Sequence, residues 1–275
     1  MHSEISPADY EAFKQFLQDA CGILLGENKQ YLVKSRLRRI LAEHNLVTLG
    51  DLVERLKRQP RGPLRETVID AMTTNETLWF RDMHPFRILR EQLLPEMAAQ
   101  KKPSLRIWSA ACSTGQEPYS IAMVIDEYRQ ANPGQLRGNV EIVATDISRP
   151  VLEKARRGEY EMLALGRGLD PERQKKYFTQ QPSGSWQLKP AIHNMVTFRE
   201  LNLLERYSQG RFDLIFCRNV LIYFSADLKK DILRRLHQSL NPGGYLILGA
   251  SESLSGFNEL YEMVQCRPGI IYRGR

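Results

Sequence analysis

Apolar positions recur at three- and four-residue spacing through the first 78 residues, then give way to short continuous apolar runs separated by helical stretches. Ser6 and Pro7 start a helix with Tyr10, Phe13, Phe16 and Leu17 facing inward, and Gly22 stops it. A second helix is predicted from Asn28 to about Glu43, with Tyr31, Leu32, Leu37, Ile40 and Leu41 inward. Shorter ones follow from Leu49 to Lys57, after a Thr48 cap, and from Leu64 to Met72, after Pro63. The pattern predicts a small all-helical domain over 1–78 and a second domain over 79–275.

In the second domain a helix from Phe86 to Lys101 leads into a buried strand, Leu105 to Ala111. The small polar run Ser113-Thr114-Gly115 then turns into a helix from Pro118 to Tyr128. A strand, glycine turn and helix in that order presents free backbone N–H groups at the carboxyl edge of a parallel sheet. The next strand, Val140 to Ala144, runs to Asp146, whose carboxylate either accepts from a ribose diol or caps the helix that begins near Ser148 and Pro150.

Helices Pro150 to Arg157 and Pro171 to Phe178 follow. Two or three short strands around turns at Ser183-Gly184 and Lys189-Pro190 then form a small antiparallel appendage, about 179–197. Strands Met195 to Glu200 and Phe212 to Cys217 end in Asn202-Leu203 and Arg218-Asn219. A helix from Ala226 to Leu240, a turn at 241–244, a strand from Tyr245 to Gly249 and a C-terminal hairpin complete the chain. Strands alternating with helices and closed by a hairpin predict a doubly wound α/β sheet, with Gly115, Asp146, Asn202 and Asn219 at its carboxyl edge.

Composition narrows the class. With 275 residues, 42% of them hydrophobic, the chain can bury a full core. No apolar run approaches the ~18 residues of a membrane span, and the N-terminus carries acids, so a cytoplasmic protein without membrane insertion is expected. Four cysteines without a C-x-x-C pair suggest reduced, buried thiols and no metal site. The net charge of +7 points to an acidic partner. Lys29, Lys34, Arg36, Arg38 and Arg39 concentrate it on the second helix, either as a solvated face or as a docking face for an acidic helix. Between the domains, TTNETLWFRDMHPF carries Asn75, Thr77 and Arg81, which either hold a polar small molecule or belong to a helix cap and packed hinge.

The segments TTNETLWFRD, SAACSTGQEPYSIAM, ATDISRPVLEKARRGEY, NLL, FDLIFCRNVLIYF and LNPGGYLILGASES, in this order, resemble the CheR family of chemoreceptor glutamate methyltransferases across essentially the whole chain. Gln116 departs from a glutamate common there, while Glu117 is present. The resemblance implies a class I, Rossmann-like methyltransferase domain with a small antiparallel β-subdomain, preceded by an all-α domain. It implies that Asn75, Thr77, Arg81 and Glu117 contact the methionine and sulfonium end of S-adenosylmethionine, that Asp146 holds the ribose, that Asn202 and Leu203 flank the adenine, and that Arg218 and Asn219 close the pocket. Tyr223, otherwise readable as a core aromatic, corresponds to a tyrosine near the transferred methyl, with Arg81 opposite; these two are the implied catalytic pair.

The implied reaction is methylation of receptor glutamates to γ-glutamyl methyl esters for chemotactic adaptation, releasing S-adenosylhomocysteine, with no metal. Members that bind a receptor's C-terminal pentapeptide tend to carry a longer, glycine-containing loop in the β-subdomain. QPSGS is short, so no such peptide is expected to be required. Amino-methylating nucleic-acid enzymes commonly carry Asn/Asp-Pro-Pro-Tyr where this chain has Arg218-Asn219-Val220-Leu221, and Cys217 lacks the Pro-Cys context of C5-methylating ones. A nucleic-acid substrate is therefore not expected. Retention of Arg81 and Tyr223 argues against a non-catalytic module.

Overall fold

The computed structural model describes residues 5–208, 210–254, 256 and 258–275, which divide into two compact units. One comprises the chain up to Thr74 together with Asn202–Glu205 and Ile222–Ile232. Its helices are α1 (Pro7–Cys21), α2 (Gln30–Glu43), α3 (Leu49–Arg58) and α4 (Pro63–Met72). Helix α1 starts where Ser6 Oγ accepts from Asp9 N at 3.1 Å and ends at Gly22, whose φ of 78° lets its N–H return to Gln18. Thr48 and Asp51 form a reciprocal capping box on α3.

The inward stripe of α2 is Val33, Leu37, Ile40 and Leu41, whereas Tyr31 is 66% exposed and Leu32 half-buried. Tyr31 lies two residues from Val33, about 200° around the helix, so the two cannot share a face. The expectation for Tyr31 is thereby corrected. Arg36 is also committed inside this unit: its guanidinium donates to Met72 O at 2.8 Å, Thr73 O at 3.0 Å and Thr74 Oγ1 at 3.2 Å, satisfying carbonyls that the end of α4 leaves open.

The later segments join this unit through local contacts. Asn202 Nδ2 donates to Ala20 O at 2.9 Å, and Leu24 N donates to Tyr223 O at 2.8 Å. Gly22 has φ of 78°, which favours glycine, and a Cβ there would lie 2.5 Å from the Leu228 side chain, which would have to shift.

The larger unit begins with α5 (His84–Ile88), a π-helical turn (Leu89–Leu93) and α6 (Leu94–Ala99) in place of one straight helix from Phe86 to Lys101. Leu94 N returns to Leu89 O, five residues back, just before Pro95, which has no N–H to give. Then come β1 (Ser104–Ala110), α7 (Gln116–Ala131), β2 (Asn139–Asp146), α8 (Arg149–Arg157), β3 (Glu159–Tyr160), α9 (Met162–Leu165), α10 (Pro171–Tyr177), β4 (Phe178–Gln180), β5 (Trp186–Leu188), α11 (Pro190–His193), β6 (Val196–Glu200) and β7 (Phe212–Cys217). A 3₁₀ turn at Leu221–Tyr223, α12 (Ala226–Gln238), β8 (Leu240–Leu248), β9 (Tyr261–Cys266) and β10 (Gly269–Gly274) finish the chain.

The main sheet runs β6-β2-β1-β7-β8-β10-β9, parallel from β6 to β8 and antiparallel at β10. The chain leaves β1 first toward β2 and β6, then returns to build β7 and β8 on the other side. The topological switch point, where such sheets bind ligands, therefore lies at the carboxyl ends of β1 and β7. All six residues of β7 are buried, and all but Asp213, which pairs with Lys102, are apolar, as a strand covered on both faces requires.

Two local expectations change. Asn241 to Gly244, predicted as a turn between elements, lies within β8, where the pairing jumps from Leu240 opposite Phe212 to Tyr245 opposite Leu214. The small antiparallel sheet has the order β3-β5-β4, so one strand comes from Glu159–Tyr160, upstream of the predicted stretch, and Lys189-Pro190, predicted as a turn, opens the short helix α11. Pro190 suits that start, since the N–H it lacks is one a first helical turn leaves unpaired. No helix among the described residues is long and apolar enough to cross a membrane.

Candidate functional site

The loop leaving β1 sets the geometry. Ala111, Ser113 and Gly115 have φ of 59°, 51° and 93°, so left-handed residues recur at every second position, two of them without glycine. Tertiary bonds hold this conformation. Cys112 N donates to Thr145 O at 2.9 Å, and Ser113 N donates to Asp146 Oδ2 at 2.8 Å.

Asp146 is buried at the end of β2, and its second oxygen accepts from Ser148 N at 3.0 Å. The cap of α8 is Ser148, whose Oγ faces Val151 N, so Asp146 is not the capping residue that the sequence allowed. Each carboxylate oxygen thus takes one of these backbone N–H groups.

A second array centres on Arg218, immediately after β7. Its side chain is 1% exposed and is held by Glu117 Oε2 at 3.0 Å, Asp82 Oδ2 at 2.7 Å and Arg81 O at 2.8 Å. Glu117, in the first turn of α7, takes Ser109 Oγ on its other oxygen at 2.8 Å. Two carboxylates share one buried guanidinium, leaving an excess negative charge near the switch point. A low-dielectric surround strengthens that field toward a cation.

The stretch between α4 and α5 is bound to the sheet at several points. Ser113 Oγ donates to Asn75 O at 2.8 Å, Phe80 N to Ser120 Oγ at 3.1 Å and Trp79 N to Arg167 O at 3.0 Å. Trp79 is fully buried edge-on to Tyr160 and Phe178. These anchors hold Phe80, Asp82 and Met83 at positive φ, which aims Asp82 at Arg218.

Of the residues singled out from sequence, Asn75, Arg81, Glu117, Asp146, Arg218 and Asn219 belong to the larger unit, where they fall into two bonded clusters. The links are Ser113 for Asn75 and Asp146, Arg218 for Arg81 and Glu117, and chain adjacency for Asn219. Thr77 lies half-buried in the anchored stretch. Asn202, Leu203 and Tyr223 belong to the helical unit, where Asn202 spends its amide on Ala20 O and Leu204 N. Sequence reasoning missed Asp82 and Glu252; the latter accepts from the backbone of Asn219, Val220 and Leu221. An acid directly beside Arg81 and the acid of LGASES were the available signals.

Burial, reinforced by the Asp146 and Glu117 carboxylates, pushes the Cys112 thiol well above its ordinary value. Burial, then Glu252 and Glu117, does the same to Cys217. Both thiols are neutral near pH 7, which removes Cys217 as a nucleophile.

Two family descriptions match the chain: "CheR methyltransferase, all-alpha domain" over residues 8–73 and "CheR methyltransferase, SAM binding domain" over 75–270. Chemotaxis protein methyltransferase 1 of Pseudomonas aeruginosa is 58% identical over 270 residues, 98% of each chain. Chemotaxis protein methyltransferase Cher2 of Pseudomonas putida is 57% identical over 269 residues, 97% of this chain and 98% of its own. The solved N-methyltransferase NodS from Bradyrhizobium japonicum with S-adenosyl-L-homocysteine aligns with a TM-score of 0.40 at 14% identity, over 80% of this chain and 97% of that one.

Proposed function

Because the chain belongs to the CheR methyltransferase family, we propose that it methylates the γ-carboxylates of glutamates in chemoreceptors, using S-adenosylmethionine and releasing S-adenosylhomocysteine. The observation that carries this reading is the acceptor-rich region at the switch point, where Glu117 and Asp82 share Arg218 and Asp146 ends β2. Its chemistry fits the methyl donor. A ligand bearing an ammonium, a sulfonium and a ribose diol needs carboxylate acceptors and excess negative charge, and this region offers both.

S-adenosylmethionine supplies, when bound, a methyl group on a positively charged sulfur that departs as a neutral thioether. In our reading Glu117 receives the amino group, Asp146 the ribose hydroxyls, and Asn75 and Thr77 the remaining polar groups of the methionine end. Arg218 acts through Glu117, since its guanidinium is already shared between two acids. Asn219 closes the same region. On the resemblance alone we assign Asn202 and Leu203 to the adenine and Tyr223 to the methyl.

The acceptor glutamate, with a pKa near ~4.3, is ionised at neutral pH, so no residue need serve as general base. Anion and cation neutralise each other during transfer, which favours alignment and water exclusion over a tight carboxylate clamp. Arg81 accordingly orients the acceptor. We place the enzyme in the cytoplasm, divide it into a receptor-docking helical domain and a methyltransferase domain, and assign docking on an acidic receptor helix bundle to the exposed basic face of α2.

The test is methyl-label transfer to receptor-containing membranes, with alkaline release of methanol as readout. Base-labile label on receptors is expected. Base-stable label on RNA, or no transfer by a folded protein that binds the donor, would overturn the reading.

A further inference from the structure

We propose that Glu252 is a positioning residue for methyl transfer, holding the loop that follows β7 in its working conformation. Its carboxylate gathers four backbone donors: Asn219 N and Gly249 N on Oε2, both at 2.8 Å, and Val220 N at 3.0 Å and Leu221 N at 2.8 Å on Oε1. The inference rests on the proposed function, because it concerns how that reaction's residues are held.

Three successive N–H groups pointing at one spot resemble the open start of a helix, a concentration of positive partial charge that an anion relieves. Here the anion is built into the chain. Asn219 has φ of 57°, an uncommon conformation outside glycine, and the N–H groups of Asn219, Val220 and Leu221 in this turn all donate to Glu252. Glu252 reaches them from a tight turn after β8, closed by its own N–H donating to Gly249 O at 2.9 Å.

The approach is close enough to dictate a second residue. A Cβ at Gly249 would lie 2.7 Å from Glu252 Oε2, 2.8 Å from Asn219 Nδ2 and 2.9 Å from Asn219 N. Glycine at 249 is therefore required for the carboxylate to reach the loop. The clamped amides begin at the residue after Arg218 and end two residues before Tyr223. Whatever fixes them fixes where the chain enters both assigned positions, and displacements of about 1 Å near a reacting centre can lower rates about 10²-fold.

Glu252→Gln keeps the shape but turns an NH₂ group toward converging N–H donors. At a temperature where circular dichroism shows the variant folded, kcat for receptor methylation should fall at least tenfold, and amide exchange at 219–221 should accelerate. Glu252→Asp, with the charge on a shorter stem, should recover part of kcat. Gly249→Ala should reproduce the defect by a separate route, and combining it with Glu252→Gln should add little, because both release one clamp.

Faster exchange at 219–221 with kcat within twofold of native would overturn the proposal, as would a kcat loss no larger than the lost folded fraction. If Glu252→Gln does not fold, Glu252→Asp and Gly249→Ala carry the same two readouts. Failure of the native protein to methylate receptors would instead reject the functional reading, an outcome read before any variant is made.

Discussion

Arg218 and Glu117 meet at 3.0 Å, although 101 residues separate them in sequence, and the guanidinium side of that pair is 1% exposed. The same guanidinium holds Asp82, so one substitution strands two acids. Arg218→Met should destabilise the fold by about 3–5 kcal/mol, the range for removing one partner of a buried pair. Arg218→Lys should recover only part, since an ammonium lacks the planar fork. Urea unfolding measures both, and a loss under about 1 kcal/mol for Arg218→Met would mean that water replaces the guanidinium freely.

Asp146 bonds to two backbone amides and is the residue we propose for the ribose, so on that proposal its substitution has a structural and a ligand component. Asp146→Ala should weaken S-adenosylhomocysteine binding by roughly 1.5–3 kcal/mol, the scale of charge-assisted hydrogen bonds. Calorimetry on the folded variant decides. Unchanged affinity would remove Asp146 from the ligand site and leave it a structural role in holding Ser113 and Ser148.

On α2 the structure separates docking candidates from structural charge. Arg36 closes the end of α4, whereas Lys29 and Arg38 are exposed, with Lys29 Nζ 5.8 Å from the ring centre of exposed Tyr31. Lys29→Glu with Arg38→Glu should lower receptor methylation and its salt dependence while leaving S-adenosylhomocysteine affinity unaltered. Arg36→Glu should instead lower stability. Full receptor methylation by the Lys29/Arg38 double variant would return α2 to an ordinary solvated face.

Stability should fall with pH above the range where unfolded thiols ionise, about 8.5. Burial raises the folded Cys112 value, so above that pH the unfolded chain releases a proton that the folded chain keeps. Its contribution is thus fully present below the unfolded pKa and is lost as pH rises toward the folded one. Cys112→Ala should make the decline between pH 9 and 10 shallower, by up to about 1.4 kcal/mol per pH unit for one proton. Parallel pH slopes in urea titrations of both proteins would exclude this residue as the source.

The small sheet β3-β5-β4 turns through a tight loop in which Gln181 N donates to Ser185 O at 2.8 Å and Gly184 has φ of 91°. A loop this short leaves little backbone to shape a peptide groove, although a free strand edge alone can accept an added strand. Free receptor tail peptides should not bind in the micromolar range, and receptors lacking the tail should be methylated as well as intact ones. Micromolar binding abolished by altering 179–197 would contradict this.

The sequence by itself determined what depends on near neighbours. Helix spacing, Ser6 and Thr48 caps and Gly22 marked the ends of α1 and α3 closely, because side chains three and four apart share a face and caps act within one turn. Apolar runs ending in Asp146 and Arg218-Asn219 placed acids and amides at strand ends before any fold was known.

Tertiary structure decided which of these groups meet. Asp82 reaches Arg218 across 136 residues, Glu252 reaches Asn219 across 33, and β3 joins β5 from outside the stretch that looked strand-like. Tyr31 faces solvent and Arg36 serves α4 for the same reason: periodicity reports that a helix has an apolar face, while the neighbouring helix selects the stripe and the carbonyls to be satisfied. Local pattern encodes the period of an element. The pairing of distant charges and orphaned backbone donors exists only once strand ends converge, since a buried ion or N–H must find its partner wherever the fold delivers one.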